Sequence, residues 1–220
     1  MRQRRPALMH VEGEKSTAMT AQTAYVPPRF VPGCIFCERV DQPEQLFEND
    51  ALYVMPDKFP TFAGHTLIVS RGHYTCWGAA TSDAQEALDA ATARLRAFLS
   101  AAYGGPVATF ENGVAGQTVF HAHLHLAPLR GLAASMPTLE GDDVTLASSW
   151  SAVADYLAVH GTYRYIADAT RRLILPGRSE RLKALGIWLA PVLSRPALTP
   201  TDVVEVTTRW KAWTAHEEHL

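Results

Sequence analysis

The chain has 220 residues, a formal net charge of -2 and a sequence pI near 6.5. That length supplies one sizeable domain or a domain with an elaborate extension, and the near-neutral charge gives no footprint for DNA, RNA or an anionic membrane. Three cysteines, two of them spaced as Cys34-x-x-Cys37, argue against a secreted disulfide framework, and no apolar run reaches transmembrane length.

Residues 1–30 are polar and end near Tyr25-Val26-Pro27-Pro28, which predicts a mobile arm. The basic start, Met1 to Arg5, is followed by Glu12, Glu14 and Lys15 where a signal peptide needs apolar residues, so a cytoplasmic protein is expected. Cys34-Ile35-Phe36-Cys37 opens the folded part, taken as 31–130. Ala51 to Met55 and Thr66 to Val69 read as strands, joined by a loop rich in Pro and Gly from Pro56 to Gly64. Thr81-Ser82-Asp83 offers capping oxygens to a helix over Ala84 to Ala101, with Leu88, Ala91, Leu95 and Phe98 at helical spacing. Tyr103-Gly104-Gly105-Pro106 stops it. Val107 to Phe110 reads as a strand, Glu111 to Gln117 as a loop and Thr118 to Pro128 as another strand.

The Pro/Gly punctuation from Pro128 to Pro137 marks the boundary of a helix-rich unit over 131–220. Within it Ser148 to His160 reads as helix, Thr162 to Leu175 as a hairpin around Asp168-Ala169-Thr170, and Ser179 to Ser194 as helix. A last helix follows Pro200-Thr201-Asp202 and runs to about Ala215. Trp188, Trp210 and Trp213 are expected to pack, Cys76 to be a small buried apolar residue, and Arg171-Arg172 and Arg178 to Lys183 to form a solvated basic face. The fold class expected is α+β: an antiparallel sheet of about five strands with helices, followed by a mostly helical C-terminal extension.

The chemistry concentrates in Phe120-His121-Ala122-His123-Leu124-His125-Leu126. A strand alternates its side chains, so the three imidazoles share one face while Phe120, Ala122, Leu124 and Leu126 point into a core. Crowded rings repel one another when charged, so some are neutral near pH 7 and available as nucleophile, base or metal ligand.

The string from Gly116-Gln117-Thr118 through His125 resembles the signature of the histidine triad (HIT) family. Asp57, Pro60 and Gly64-His65-Thr66-Leu67-Ile68-Val69 resemble its upstream companion. The resemblance covers about 34–130 and implies a five-stranded antiparallel sheet, usually a homodimer, that binds a nucleotide and cleaves it at the α-phosphate. By position it implies His123 as the nucleophile that forms a nucleotidyl-histidine, with His125 and Thr118 assisting. It implies Asp57, Asn112, Gln117 and His65 as substrate-binding or supporting residues. Relatives that transfer nucleotides commonly carry Gln where His125 stands, so hydrolysis is favoured; a nucleotidyltransferase, or a nucleotide-binding regulatory module, stands as the alternative. The loop from Glu111 to Gln117 is about one residue shorter than in common members, which bears on Asn112.

Cys34-x-x-Cys37 with two distant histidines suits a closed, structural Cys₂His₂ zinc site. The metal-bearing HIT proteins and the related galactose-1-phosphate uridylyltransferases imply His73 and His121 as the partners. Other metal folds fit less well: no Glu lies between His125 and Glu140 for a cupin, and Leu126 and Ala127 stand where a metallo-β-lactamase needs Asp and His. Neither a Gly-x-Gly-x-x-Gly run nor a Walker lysine loop is present.

Overall fold

The computed structural model describes residues 30–39, 42–129, 143–178 and 200–217. The expected arm, most of the Pro128–Pro137 boundary, the Ser179–Ser194 helix with Trp188, and most of Arg178–Lys183 lie outside the described residues.

Among the described residues, eight antiparallel strands make one sheet with a helix layer on one face. In chain order the elements are α1 (Ile35–Glu38), β1 (Phe47–Glu48), β2 (Leu52–Pro56), β3 (Thr66–Ser70), a 3-10 turn (Trp77–Ala79), α2 (Ser82–Tyr103), β4 (Val107–Gly113), β5 (His123–Pro128), β6 (Thr145–Leu146), α3 (Trp150–His160), β7 (Tyr163–Ala167), β8 (Arg172–Leu175) and α4 (Pro200–Glu217). The spatial order is β1-β2-β3-β5-β4-β7-β8-β6. The fold is the α+β, HIT-like class. Its sheet has eight strands where about five were expected, because β6, β7 and β8 continue it past β4.

The same pairing lengthens β4. Thr109 to Gly113 lie opposite Ala167 to Tyr163 of β7, so Glu111, Asn112 and Gly113 are strand residues where a loop was expected. The β7 ladder holds the backbone extended even through Asn112 and Gly113.

On the helix face Leu52, Val54, Ile68, Leu124, Leu126, Tyr165 and Ile174 meet Leu88, Leu95, Phe98 and Leu99 of α2. Such a buried Leu contributes roughly 2 kcal/mol. Thr81 is the N-cap of α2 but makes no capping bond; its hydroxyl lies 3.3 Å from the Tyr74 hydroxyl instead. Trp210 of α4 stacks on Phe47 at 5.4 Å and meets Phe98 edge-on at 5.0 Å, so this tryptophan packs.

Glu111 fastens β7 to this core. It points into the helix layer, accepts from the Trp77 amide at 2.8 Å and from the Tyr163 hydroxyl, and burial pushes its pKa up to about 8. The Tyr163 ring lies flat against Gly113, where a Cβ would collide with it. The opposite sheet face carries His123, His125, Phe110 and Asn112 and supports the site. No described helix is long and apolar enough to cross a membrane.

Candidate active site and metal cluster

The histidine segment is extended only from His123 onward. The expected strand over Thr118 to Pro128 therefore begins five residues late. The reason is local: His121 N–H closes a tight turn on the Val119 carbonyl at 2.9 Å, and Ala122 pairs with the end of β3 and the turn after it, through Tyr74 and Ser70. This turn sends Phe120 outward, so Phe120 is exposed, against the expectation that it joins a core; Ala122, Leu124 and Leu126 are buried. β5 then pairs with β3 and β4, placing His125 opposite both Leu67 and Phe110.

Backbone partners fix which ring nitrogen of each histidine carries the proton. His123 Nδ1 lies 2.6 Å from the His121 carbonyl, which only accepts, so Nδ1 is protonated and Nε2 keeps the lone pair. His121 Nε2 lies 2.7 Å from the Ser70 carbonyl, so its lone pair is on Nδ1. His65 is the reverse case: its Nδ1 accepts the Thr61 N–H at 3.1 Å, leaving the proton on Nε2. That proton points to His125 Nδ1 at 3.0 Å, which leaves His125 with its N–H at Nε2. Burial lowers the pKa of all four rings. For His65 and His125 the neighbouring histidines add to that effect, while for His65 and His123 the Asp57 carboxylate opposes it. The rings are neutral at pH 7.

Asp57 and His65 stand behind His125. Asp57 Oδ2 lies 3.5 Å from His65 Nε2 and 3.9 Å from His125 Nδ1, while its Oδ1 accepts the Phe59 N–H at 2.8 Å. Phe110 stacks on the His125 ring at 4.6 Å and 3°. These contacts hold His125 in one rotamer, a positioning that apolar stacking and a single hydrogen bond achieve together.

The segment after β4 carries Gln117 to the turn that follows β3. Val114 takes a φ of 72° and Gly116 a φ of 79°. For a β-branched residue that conformation costs on the order of 1–2 kcal/mol. Gln117 is buried; its Nε2 donates to the Thr75 carbonyl at 2.9 Å, while its Oε1 has no partner. Thr118 is exposed and lines a depression with Cys34, His73 and Phe120. Asn112 lies on β4 and its side-chain oxygen accepts from Arg164 of β7. Arg164 and the stacking Phe110 escape a reading of the sequence, since both act through strand register.

Cys34, Cys37, His73 and His121 converge beside this site, with their ligand atoms all within 4.8 Å of one another. His121 Nδ1 lies 3.4 Å from Cys34 Sγ and 3.5 Å from Cys37 Sγ, and His73 Nδ1 lies 3.3 Å from Cys37 Sγ. A tetrahedral ion bonded at about 2.3 Å to sulfur and about 2.0–2.1 Å to nitrogen separates such atoms by about 3.5 Å. The four residues can hold a metal ion, and the His121 tautomer turns its lone pair toward it. Its backbone bond to Ser70 is the outer contact that orients a metal-binding imidazole. The α1 turn presents the two cysteines, and Phe36 between them packs on both His121 and His123, at 5.7 and 5.2 Å. The cluster therefore touches the strand that carries His123.

Comparison with known proteins gives a consistent set. The HIT domain profile matches residues 39–132. An uncharacterised HIT-like protein of Saccharolobus solfataricus is 34% identical over 101 residues, covering 43% of this chain and 73% of that protein. One from Mycoplasma genitalium is 29% identical over 101 residues, covering 43% and 72%. Among solved structures, a HIT family protein from Bacillus anthracis overlaps 50% of this chain and 83% of its own at 25% identity, with a TM-score of 0.43. A HIT family hydrolase from Clostridium thermocellum overlaps 50% and 99% at 28% identity, with a TM-score of 0.39.

Proposed function

The chain belongs to the HIT domain family, and we propose that it is a hydrolase that cleaves a nucleoside phosphate at the α-phosphorus through a nucleotidyl group held covalently on His123. The supporting observation is the 2.6 Å contact from His123 Nδ1 to the His121 carbonyl, which leaves a neutral ring with its lone pair on Nε2. That lone pair attacks phosphorus while the bond to the leaving group breaks and its electron pair departs with that group. The proton stays on Nδ1, hydrogen-bonded to the His121 carbonyl, and that bond steadies the positive charge on the phosphorylated ring. Water then attacks the same phosphorus and gives up a proton to solvent, the P–N bond breaks, and its electron pair returns to Nε2.

Phosphoryl transfer of this kind asks the protein mainly for position and for donors to the oxygens. His125 supplies an Nε2–H, set by the chain from Thr61 through His65. In this proposal Gln117 and Thr118 meet the α-phosphate, Asn112 the phosphate chain and Asp57 the ribose hydroxyls. Zinc occupies the Cys34, Cys37, His73 and His121 cluster as a structural ion, and a cytoplasmic setting keeps both thiols reduced for it. The active species is a homodimer, which light scattering of the full chain tests by its mass.

The kinetic test uses adenosine 5′-phosphoramidate and diadenosine tetraphosphate. Wild type releases AMP from one or both, and His123→Ala loses on the order of 10³-fold or more. Equal rates for the two proteins refute the nucleophile and leave a nucleotide-binding module.

A further inference from the structure

One cation on the reactive face has no role in that scheme. Arg164 of β7 lies directly opposite Asn112 of β4. The β4–β5 ladder ends with Phe110 opposite His125, and the same antiparallel count taken one step past that end sets Asn112 level with His123. His123, Asn112 and Arg164 therefore form a row across three adjacent strands, and alternation turns all three side chains to one face. At about 4.8 Å per strand, the Arg164 backbone stands roughly 10 Å from that of His123, a gap that an arginine side chain and a phosphate chain can span together.

Neutral partners hold the guanidinium. Nη1 donates to the Asn112 side-chain oxygen and Nε to the Gly177 carbonyl at 3.3 Å. Nη2 rests against Gly116, where a Cβ would come within 2.5 Å of it. The φ of 79° calls for glycine at 116, and a Cβ there would push the guanidinium aside. No carboxylate among the described residues pairs with Arg164, and burial draws its pKa below the ordinary guanidinium value. A half-buried cation fixed by neutral acceptors, with no carboxylate among the described residues beside it, is electrostatically completed by an anion.

We propose that Arg164 binds the second phosphate of the substrate, the one carried away by the leaving group, and so selects nucleoside polyphosphates over nucleoside phosphoramidates. This rests on His123 acting at the α-phosphorus. When Nε2 bonds to that phosphorus, the P–O bond to the second phosphate breaks and its electron pair stays on the departing oxygen. Negative charge grows there, and the guanidinium meets it without moving a proton. A departing amine presents no such charge and needs a proton, which Arg164 cannot give.

The test measures kcat/KM of wild type, Arg164→Met and Arg164→Lys on diadenosine tetraphosphate and adenosine 5′-phosphoramidate. Losing a charge-assisted fork costs on the order of 10- to 100-fold, so Arg164→Met falls by that much on the tetraphosphate and at least about tenfold less on the phosphoramidate. Arg164→Lys keeps the charge without the fork and shifts the ratio in the same direction by less; it also supplies the answer if the methionine variant does not fold. Equal losses on both substrates, or no loss on the tetraphosphate, overturn the role of Arg164 alone. A wild type inert on both overturns the hydrolase reading and this role with it.

Discussion

The Cys34–Cys37–His73–His121 cluster and the Asp57–His65–His125 cluster are built from similar groups, and in each the ligand atoms lie within 4.8 Å of one another. By composition both suit a metal, the second as two histidines and a carboxylate. Their backbone bonds separate them. His121 gives its Nε2 proton to the Ser70 carbonyl and keeps a lone pair facing the two sulfurs. His65 spends its Nδ1 lone pair on the Thr61 N–H, so its Nε2 carries a proton toward His125 and Asp57 and has nothing to offer a cation. The first cluster is ready for metal; the second is a hydrogen-bonded relay. Proximity of donors is a poor guide until each tautomer is assigned.

The largest effect that bears on this contrast is loss of the metal. Cys37→Ser should take metal analysis of untagged protein from about one zinc per chain to near none, and reduce stability to urea by several kcal/mol, since metal binding is coupled to folding. Metal retained in that variant, or stability unmoved, breaks the assignment of the first cluster. Next, His65→Ala should leave metal content unchanged while lowering kcat on the order of 10²-fold, the scale of a lost proton-handling group. A variant that loses metal instead shows the second cluster to be the metal site.

Acid titration comes third. Burial first, and neighbouring histidines second, lower the pKa of His65 and His125 below the ordinary 6.5. The unfolded chain takes up protons near pH 6.5 that these folded rings refuse. Their contribution is therefore complete above about pH 6.5 and is lost as pH falls through the lowered folded values. The urea midpoint should decline from pH 7 to pH 5, less steeply in His65→Ala; an equal or steeper decline in the variant contradicts the neutral relay. The smallest effect belongs to Phe110→Leu, which removes the stack on His125. A cost of about 1 kcal/mol, with a severalfold fall in kcat, is expected, and metal content unchanged.

Local patterns were readable in the sequence and long-range pairings were not. The two-residue spacing from His123 to His125 gave one face of a strand, and Leu88, Ala91, Leu95 and Phe98 gave the buried stripe of α2. Cys34, Cys37, His73 and His121 meet because a short turn and two strand ends converge, a placement that came from resemblance and not from spacing. Phe120 follows the alternation of the histidine segment yet faces water, since the Val119–His121 turn precedes the strand. Glu111 to Gly113 read as a loop by composition, but β7 pairs with them. That pairing depends on register between segments about 50 residues apart, which no local pattern records, and it is what delivers Arg164 to the sheet face that carries His123.

Intact-protein mass spectrometry of the full chain, quenched in alkali during turnover of diadenosine tetraphosphate and followed by peptide mapping, reads the covalent step itself. The expected result is a mass increase of one adenylyl group on the peptide that contains His123, absent from His123→Ala. Wild-type turnover with no adduct at any quench time, or an adduct on another residue that persists in His123→Ala, contradicts a nucleophilic His123.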